Sequence, residues 1–368
     1  MDPTASLVEQ ARRHICALIS QGRMQRGDRL PSYRDLAEQL GMAYTTIKFA
    51  MDDLAGQGVI RRQPAKGCYV NQELARPGRS LRTIGIVHMF SRGNLLMQPY
   101  LTQILHGINA GPAVADVHIF TLREHGLVDA RQIADHRIDG VIAIAVENDQ
   151  LLHGLAELPV PVVVVEHVPR RPGFDHIACD NAGGTRQAIA HLHGLGHRRI
   201  RYVGNTSRRP SVFGTGGPVI EVYQTDHEER RAAACAILSS TPQGWDEVTV
   251  PVAGEEDFLR GVVARWRQEA DRPTAFLADD ERTAGNLIRC LGEAGIAVPG
   301  GVSVCAVACT DGSDDGLAGC RFDFAGMGRL AVARLQHLCQ HPDATVAGHR
   351  IGFTFRPGSS AAPISSAT

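Results

Sequence analysis

Apolar residues recur at intervals of three and four from Leu7 through Val8, Ala11, Ile15, Leu18 and Ile19, a spacing that predicts one helix over residues 6–19. Gly22 and Gly27 stop it. Ser32-Tyr33-Arg34-Asp35 then has the form of a capping box, whose serine hydroxyl satisfies an orphan N–H at a helix start. A short helix over 33–40 follows, Gly41 breaks it, and a second helix over 44–56 buries Ile47, Ala50, Met51 and Leu54. Two such helices across a tight turn make a helix-turn-helix. Gly58-Val59-Ile60-Arg61-Arg62 and Cys68-Tyr69-Val70 flank a turn at 63–67 and predict a β-hairpin, a wing, beside them.

Residues 71–82 lose all apolar periodicity around Pro77-Gly78 and read as a linker. Beyond it, strands over 83–88, 118–122, 141–146, 160–166 and 200–203 alternate with helices over 101–109 and 184–194. The pattern continues with helices over 228–238 and 283–294 and strands over 248–252, 275–278 and 302–307. Such alternation predicts an α/β fold with parallel sheets and crossover helices. Residues 205–225, with Gly214-Thr215-Gly216-Gly217-Pro218, predict a long loop of the kind found beside binding clefts. The small, polar tail 359–368 is expected to be disordered.

Charge sharpens the division. The chain of 368 residues has a net charge of −1, yet residues 1–82 hold 13 Lys and Arg against 8 Asp and Glu. The basic surplus lies where a nucleic acid would bind, although a solvated helical face explains it equally. The only two lysines, Lys48 and Lys66, fall in that segment. Nine scattered cysteines without a CxxC pair read as reduced, buried thiols. With no basic leader and no apolar run of about 18 residues, the chain is expected to be cytoplasmic and to have no membrane partner.

The run from Gly27 to Ala37, followed by Gly41, Thr45-Thr46-Ile47-Lys48, Leu54, Gly58-Val59-Ile60 and Gly67-Cys68-Tyr69-Val70, resembles a GntR-type winged helix. Residues 83–358 resemble the effector domain of LacI/GalR-type regulators, itself similar to periplasmic sugar-binding proteins. Ile84-Gly85-Ile86-Val87, Ile138-Asp139-Gly140-Val141-Ile142, Leu195-Gly196-His197-Arg198-Arg199-Ile200 and Asp280 with Ala284-Gly285 carry that likeness. The combination is similar to arabinose-responsive repressors. It implies a winged-helix domain at 1–70, the linker 71–82, a two-subdomain periplasmic-binding-protein-like domain for effector binding and dimerisation at 83–358, and the tail 359–368. The implied function is a homodimeric repressor that binds a double-stranded DNA operator under control of a small, sugar-like effector, with no enzymatic activity and no cofactor.

A recognition helix in the major groove must offer short polar and cationic side chains near its start, as Tyr44, Thr45, Thr46 and Lys48 do. The resemblance implies DNA contacts from Arg34, Tyr44, Lys48 and the wing tip Lys66-Gly67. Many members carry arginine where Tyr44 and Lys48 stand, which implies a different base preference. For the effector, Gln98-Pro99-Tyr100-Leu101 occupies the place of the family's Asn-Pro-Phe-Phe, giving Gln98 and Tyr100 as cleft residues. Asp280 matches the family aspartate for effector hydroxyls and Arg230 its effector-binding arginine. Two plainer roles stand beside these: Arg230 as a surface helix charge and Asp280 as a helix cap. Asp180-Asn181 reads as a cap and turn element. Ala306-Val307-Ala308-Cys309 replaces the family's Gly-Phe-Asp-Asp and removes a polar wall, and about five extra residues separate Gly85 from Gly107.

Other classes fare worse. A metal site on Cys305, Cys309 and Cys320 or on His191, His193 and His197 is disfavoured, because Cys305 lies in an apolar strand pattern and the histidines coincide with a motif of the resembled family that binds no metal. A pyridoxal-phosphate fusion needs a Schiff-base lysine, and none follows Lys66. The remaining alternative is a small-molecule receptor of the transport type, which has no use for a winged helix.

Overall fold

A computed structural model describes residues 7–20, 23–25, 27–56, 59–63, 66–71, 81–89, 99–110, 116–121, 129–212, 219–240, 246–251, 253–310, 312, 316–341 and 343–364. Three helices open the chain, α1 (Leu7–Ser20), α2 (Tyr33–Leu40) and α3 (Tyr44–Gly56). They close on Ala11, Ile15, Leu36, Ile47, Met51 and Leu54, so the face predicted for α3 is the buried one. The capping box forms as read: Asp35 N donates to Ser32 Oγ at 3.2 Å and Ser32 N to Asp35 Oδ2 at 3.0 Å. Gly41, at φ 61°, ends α2 in the left-handed region. Strands β1 (Ile60–Gln63) and β2 (Gly67–Val70) pair antiparallel, and a bridge from Arg29 to Tyr69 adds a third edge.

Two six-stranded sheets follow. The first runs β15-β7-β6-β5-β3-β4, all parallel, from β3 (Thr83–His88), β4 (Asp116–Thr121), β5 (Gly140–Ile144), β6 (Val162–Val165), β7 (Asp175–Cys179) and β15 (Gly348–Ile351). Helices α4 (Pro99–Asn109), α5 (Ala130–Asp135) and α6 (Asp149–Ala156) connect its early strands. The second runs β11-β8-β12-β13-β14-β16, from β8 (Ile200–Asn205), β11 (Glu247–Val250), β12 (Ala275–Asp280), β13 (Ser303–Cys309), β14 (Ala318–Phe322) and β16 (Phe353–Arg356). Its last pair alone is antiparallel. Its helices are α7 (Asn181–Gly194), α8 (Thr225–Leu238), α9 (Glu255–Gln268) and α10 (Glu281–Glu293). The all-buried Val162–Val165 and Ser303–Cys309 show why these strands read as unbroken apolar runs: helices cover both faces of a parallel sheet.

The chain crosses between lobes after β7, after β14 and between β15 and β16, which makes a three-stranded hinge. Helix α11 (Phe324–Gln340) returns to the first lobe and lies against α4 through Ile104, Ile108, Met327 and Ala331. A Cβ at Gly107 would strike the Ala325 carbonyl, so glycine is what lets the two backbones meet.

Two sequence expectations are corrected. Part of 205–225 is a hairpin, β9 (Arg208–Val212) with β10 (Val219–Tyr223), because Val222 and Ile220 have an apolar surface of the first lobe to cover. Residues 359–364 are seated instead of disordered: Ser360 Oγ donates to Val304 O at 2.6 Å, and Ala362 O lies 3.1 Å from His197 Nε2. The remainder of the tail, 365–368, and residues 72–80 of the linker lie outside the described residues.

Candidate DNA-binding surface and interlobe cleft

On the winged helix the buried stripe of α3 forces its other side outward. Tyr44, Thr45 and Lys48 are exposed and Thr46 is half-buried. Arg34 on α2 and Lys66 and Gly67 at the hairpin turn are exposed too. The Tyr33 and Tyr44 rings meet edge-on at 5.9 Å, which ties the start of α2, and so Arg34, to the start of α3. Gly67 has φ 107°, closed to ordinary side chains, and a Cβ there would lie 3.1 Å from Arg29 Nε. Arg29 and Phe49, the latter 62% exposed one position after Lys48, went unread in the sequence. Only the wing register would have pointed to Arg29, whereas Phe49 breaks the polar stripe of its helix visibly.

The cleft is walled by strand ends. Asp280 closes β12 as the N-cap of α10, accepting from Thr283 N at 2.7 Å and from Asn205 Nδ2 at 3.0 Å. Arg230 of α8 is buried, so the surface-charge reading does not hold. Its Nε donates to Asn181 Oδ1 at 2.8 Å, Nη2 lies 3.0 Å from Asp226 Oδ2 and Nη1 lies 3.6 Å from Asp279 Oδ1. Asp279, fully buried, also accepts from Tyr202 Oη at 2.9 Å and from His227 Nδ1. Arg230 and Asp280 therefore belong to one side-chain network, joined through Asp279 and Asn205. Tyr100 is half-buried at the foot of α4, 5.6 Å from the Phe324 ring, on the first lobe. Gln98 lies outside the described residues. Ala306-Val307-Ala308-Cys309 is buried and apolar throughout.

Burial and charge set the protons. Burial would push His227 down, but Asp226 and Asp279 outweigh it and hold the imidazolium up to about 9. Burial would likewise raise Asp279, yet His227 and Arg230 bring it to about 2. Glu166, at φ 57° just past β6, is pushed up to about 8 by burial and by Asp226, so it is a neutral acid near pH 7. Asp226, His227, Asp279 and Glu166 escaped the sequence reading, for which the Asp226-His227 pair one turn before Arg230 was the available signal, and Asn181, read as a cap and turn element, also accepts from Arg230 Nε.

A cavity of about 410 Å³ opens between the first lobe and the β9–β10 hairpin. Glu147, Asn148, Asp149, His167 and Arg170 line it from the first lobe, and Arg208, Glu221 and Tyr223 from the β9–β10 hairpin. None of Tyr100, Arg230 and Asp280 does.

Residues 7–70 match the bacterial regulatory proteins of the gntR family, and residues 189–361 match the periplasmic binding protein-like domain. The chain is 25% identical over 250 residues to the HTH-type transcriptional repressor MelR of Bacillus subtilis, covering 67% of each. It is 22% identical over 349 residues to the arabinose metabolism transcriptional repressor of Geobacillus stearothermophilus, covering 89% of this chain and 85% of the relative. Among solved structures, a LacI family transcriptional regulator from Enterococcus faecium with bound ribose superposes at a TM-score of 0.58 and 18% identity, over 77% of this chain and all of that one. Among the described residues no helix is long and apolar enough to cross a membrane, and no group of side chains could hold a metal ion.

Proposed function

We propose that this chain, which joins a GntR-type winged helix to a periplasmic-binding-protein-like domain, is a repressor that grips operator DNA as a homodimer and changes that grip when a sugar-like metabolite enters the interlobe cleft. The observation that carries the reading is the outward polar and cationic start of α3 on a closed winged-helix core. In this reading residues 1–70 form the DNA-binding domain, 71–82 the linker and 83–364 the sensor, working in the cytoplasm. Lys48 and Arg34 meet phosphates or base edges, Tyr44, Thr45 and Thr46 line the major groove, and Lys66 and Gly67 approach the backbone beside it.

In the sensor, Tyr100 and Gln98 supply one side of the effector site and Arg230 and Asp280 the other. A guanidinium has five N–H donors and a carboxylate about four acceptor sites, so both residues retain capacity after their internal bonds. Closure of the lobes around a ligand alters their angle, and in a homodimer that resets the spacing of two winged helices on a palindromic site. The name of the arabinose metabolism repressor supports a saccharide effector, and both relatives' names support repression.

The test is selection of genomic fragments by the purified full chain, followed by footprinting. The expected result is a protected, roughly palindromic site whose half-sites lie on one face of the duplex, weakened or strengthened by a sugar. Retention of fragments without sequence preference would overturn the proposal.

A further inference from the structure

We propose that Phe49 of α3 is a base-reading residue, its ring seated against the C5-methyl group of a thymine in the major groove of the operator. The proposal rests on the DNA-binding reading above and deepens it, from a helix that meets DNA to the base that one of its side chains selects.

The buried side of α3 fixes where Phe49 stands. Ile47, Ala50, Met51 and Leu54 are fully buried and set the inward direction of the helix. At about 100° per residue, Thr45 and Phe49 fall within roughly 30° of the opposite, outward direction. Phe49 is 62% exposed there and takes no part in the winged-helix core. Lone exposed aromatic residues are ordinary on protein surfaces. This one stands at the middle of the outward face of the helix that carries Thr45 and Lys48. Tyr44, the other exposed ring of α3, is already engaged edge-on by Tyr33.

The charges around Phe49 suit a polyanion. Lys48, about 70° to one side of the outward direction, is exposed. The two acids that follow Phe49 are both compensated: Asp52 pairs with Arg62 of β1, and Asp53 with Arg12 of α1 at 2.6 Å. Neither carboxylate of α3 is therefore left to repel phosphate. The face that remains has a cation at its edge and an apolar ring at its centre.

Chemistry then names the base. A phenyl ring cannot satisfy the N7 and O6 acceptors of guanine or the amino groups of adenine and cytosine, and pressing it on them removes their water without replacing its hydrogen bonds. Thymine alone presents an apolar group, the C5-methyl, to the major groove. Thr45 lies one turn before Phe49 on the same line. Their separation of about 6 Å along the helix exceeds the roughly 3.4 Å of one base-pair step, so the two side chains are spaced to address different base pairs.

The test is fluorescence anisotropy on the full chain, using the operator duplex recovered by genomic selection, with each thymine of one half-site replaced in turn by uracil. Uracil keeps the hydrogen-bonding edge of thymine and lacks only the methyl. At one thymine the wild type should lose about four-fold in affinity, the worth of one buried methyl. Phe49→Ala should bind the unmodified duplex about ten-fold more weakly or worse, since both protomers lose the ring, and should bind the thymine and uracil duplexes equally at that position. Its slope of log K against log salt should match the wild type, because no phosphate contact is lost. Lys48→Ala, by contrast, should keep the uracil penalty. Selective binding with no uracil penalty at any thymine, a penalty that persists in Phe49→Ala, or wild-type affinity in that variant would each overturn the assignment. So would a fall in the mass of the free variant on sedimentation, the sign that the ring instead holds a second copy of the chain. Absence of sequence-selective binding by the wild type itself would overturn the regulator reading, and this assignment with it.

Discussion

Asn148 and Glu157 stand at the two ends of one helix, α6, and face different halves of the molecule. Asn148 lines the hairpin cavity and caps the helix, accepting from Gln150 N and Leu151 N at 3.0 Å each. Glu157, its C-cap, pairs with Arg12 of α1, and His153 on the same helix meets Arg13. Ala134 of α5 is buried within the winged-helix core. An eight-residue helix therefore runs from the rim of the hairpin cavity to the winged-helix domain.

That geometry gives a coupling route besides the linker. Arg12→Ala removes the pair with Glu157 and also one with Asp53, at 2.6 Å. Glu157→Gln neutralises the first and its pair with His153 at 3.9 Å, and leaves Arg12 with Asp53. Both substitutions should shrink the ligand-induced change in operator affinity, which for such switches is worth about 1–3 kcal/mol, while ligand affinity itself stays near wild type. Anisotropy with and without ligand measures it; an unaltered ligand effect in both variants would show that α6 transmits nothing.

A pH dependence follows from His227. Its folded value of about 9 lies above the ordinary value of 6.5, so the stabilisation it brings is fully present below pH 6.5. It fades as pH rises through about 9, and the loss is on the order of 1–3 kcal/mol. Chemical denaturation between pH 6 and 10 should show the decline in wild type and a flatter profile in His227→Gln. Equal profiles would contradict the ion pairing with Asp279.

The contact of α4 with α11 offers a packing test. A Cβ at Gly328 would strike the Ile104 carbonyl, which is backbone and cannot turn aside. Gly328→Ala should therefore destabilise the sensor by about 1–3 kcal/mol despite improving helix propensity. A thermal melt reads it; an unchanged or raised Tm would mean that the helices part easily.

The sequence disclosed the winged helix almost to the residue because its signals are local. Ser32 to Asp35 is a capping box, and Ile47, Ala50, Met51 and Leu54 leave one reading of α3. Helix α9 went unread, although Leu259, Val262, Val263 and Trp266 keep the same spacing of three and four. The hairpin β9–β10 was not legible, since Val222 earns its burial from a surface about eighty residues earlier in the chain, and no local pattern encodes that. The cleft divides in the same way. Asp280 and Arg230 could be placed by motif, whereas the bonds that fix them, from Asn181, Asp226 and Asp279, join α7, α8 and β12 and exist only once the second lobe has folded.

The most direct measurement is the salt dependence of operator binding by the wild type and Lys48→Ala, between about 50 and 200 mM monovalent salt. The predicted result is tight, sequence-selective binding by the wild type. In the variant it should weaken, with the slope of log K against log salt smaller in magnitude by about one, the signature of one lost phosphate contact. Identical affinity and slope in the two proteins would contradict the assignment of α3 as the helix that meets DNA.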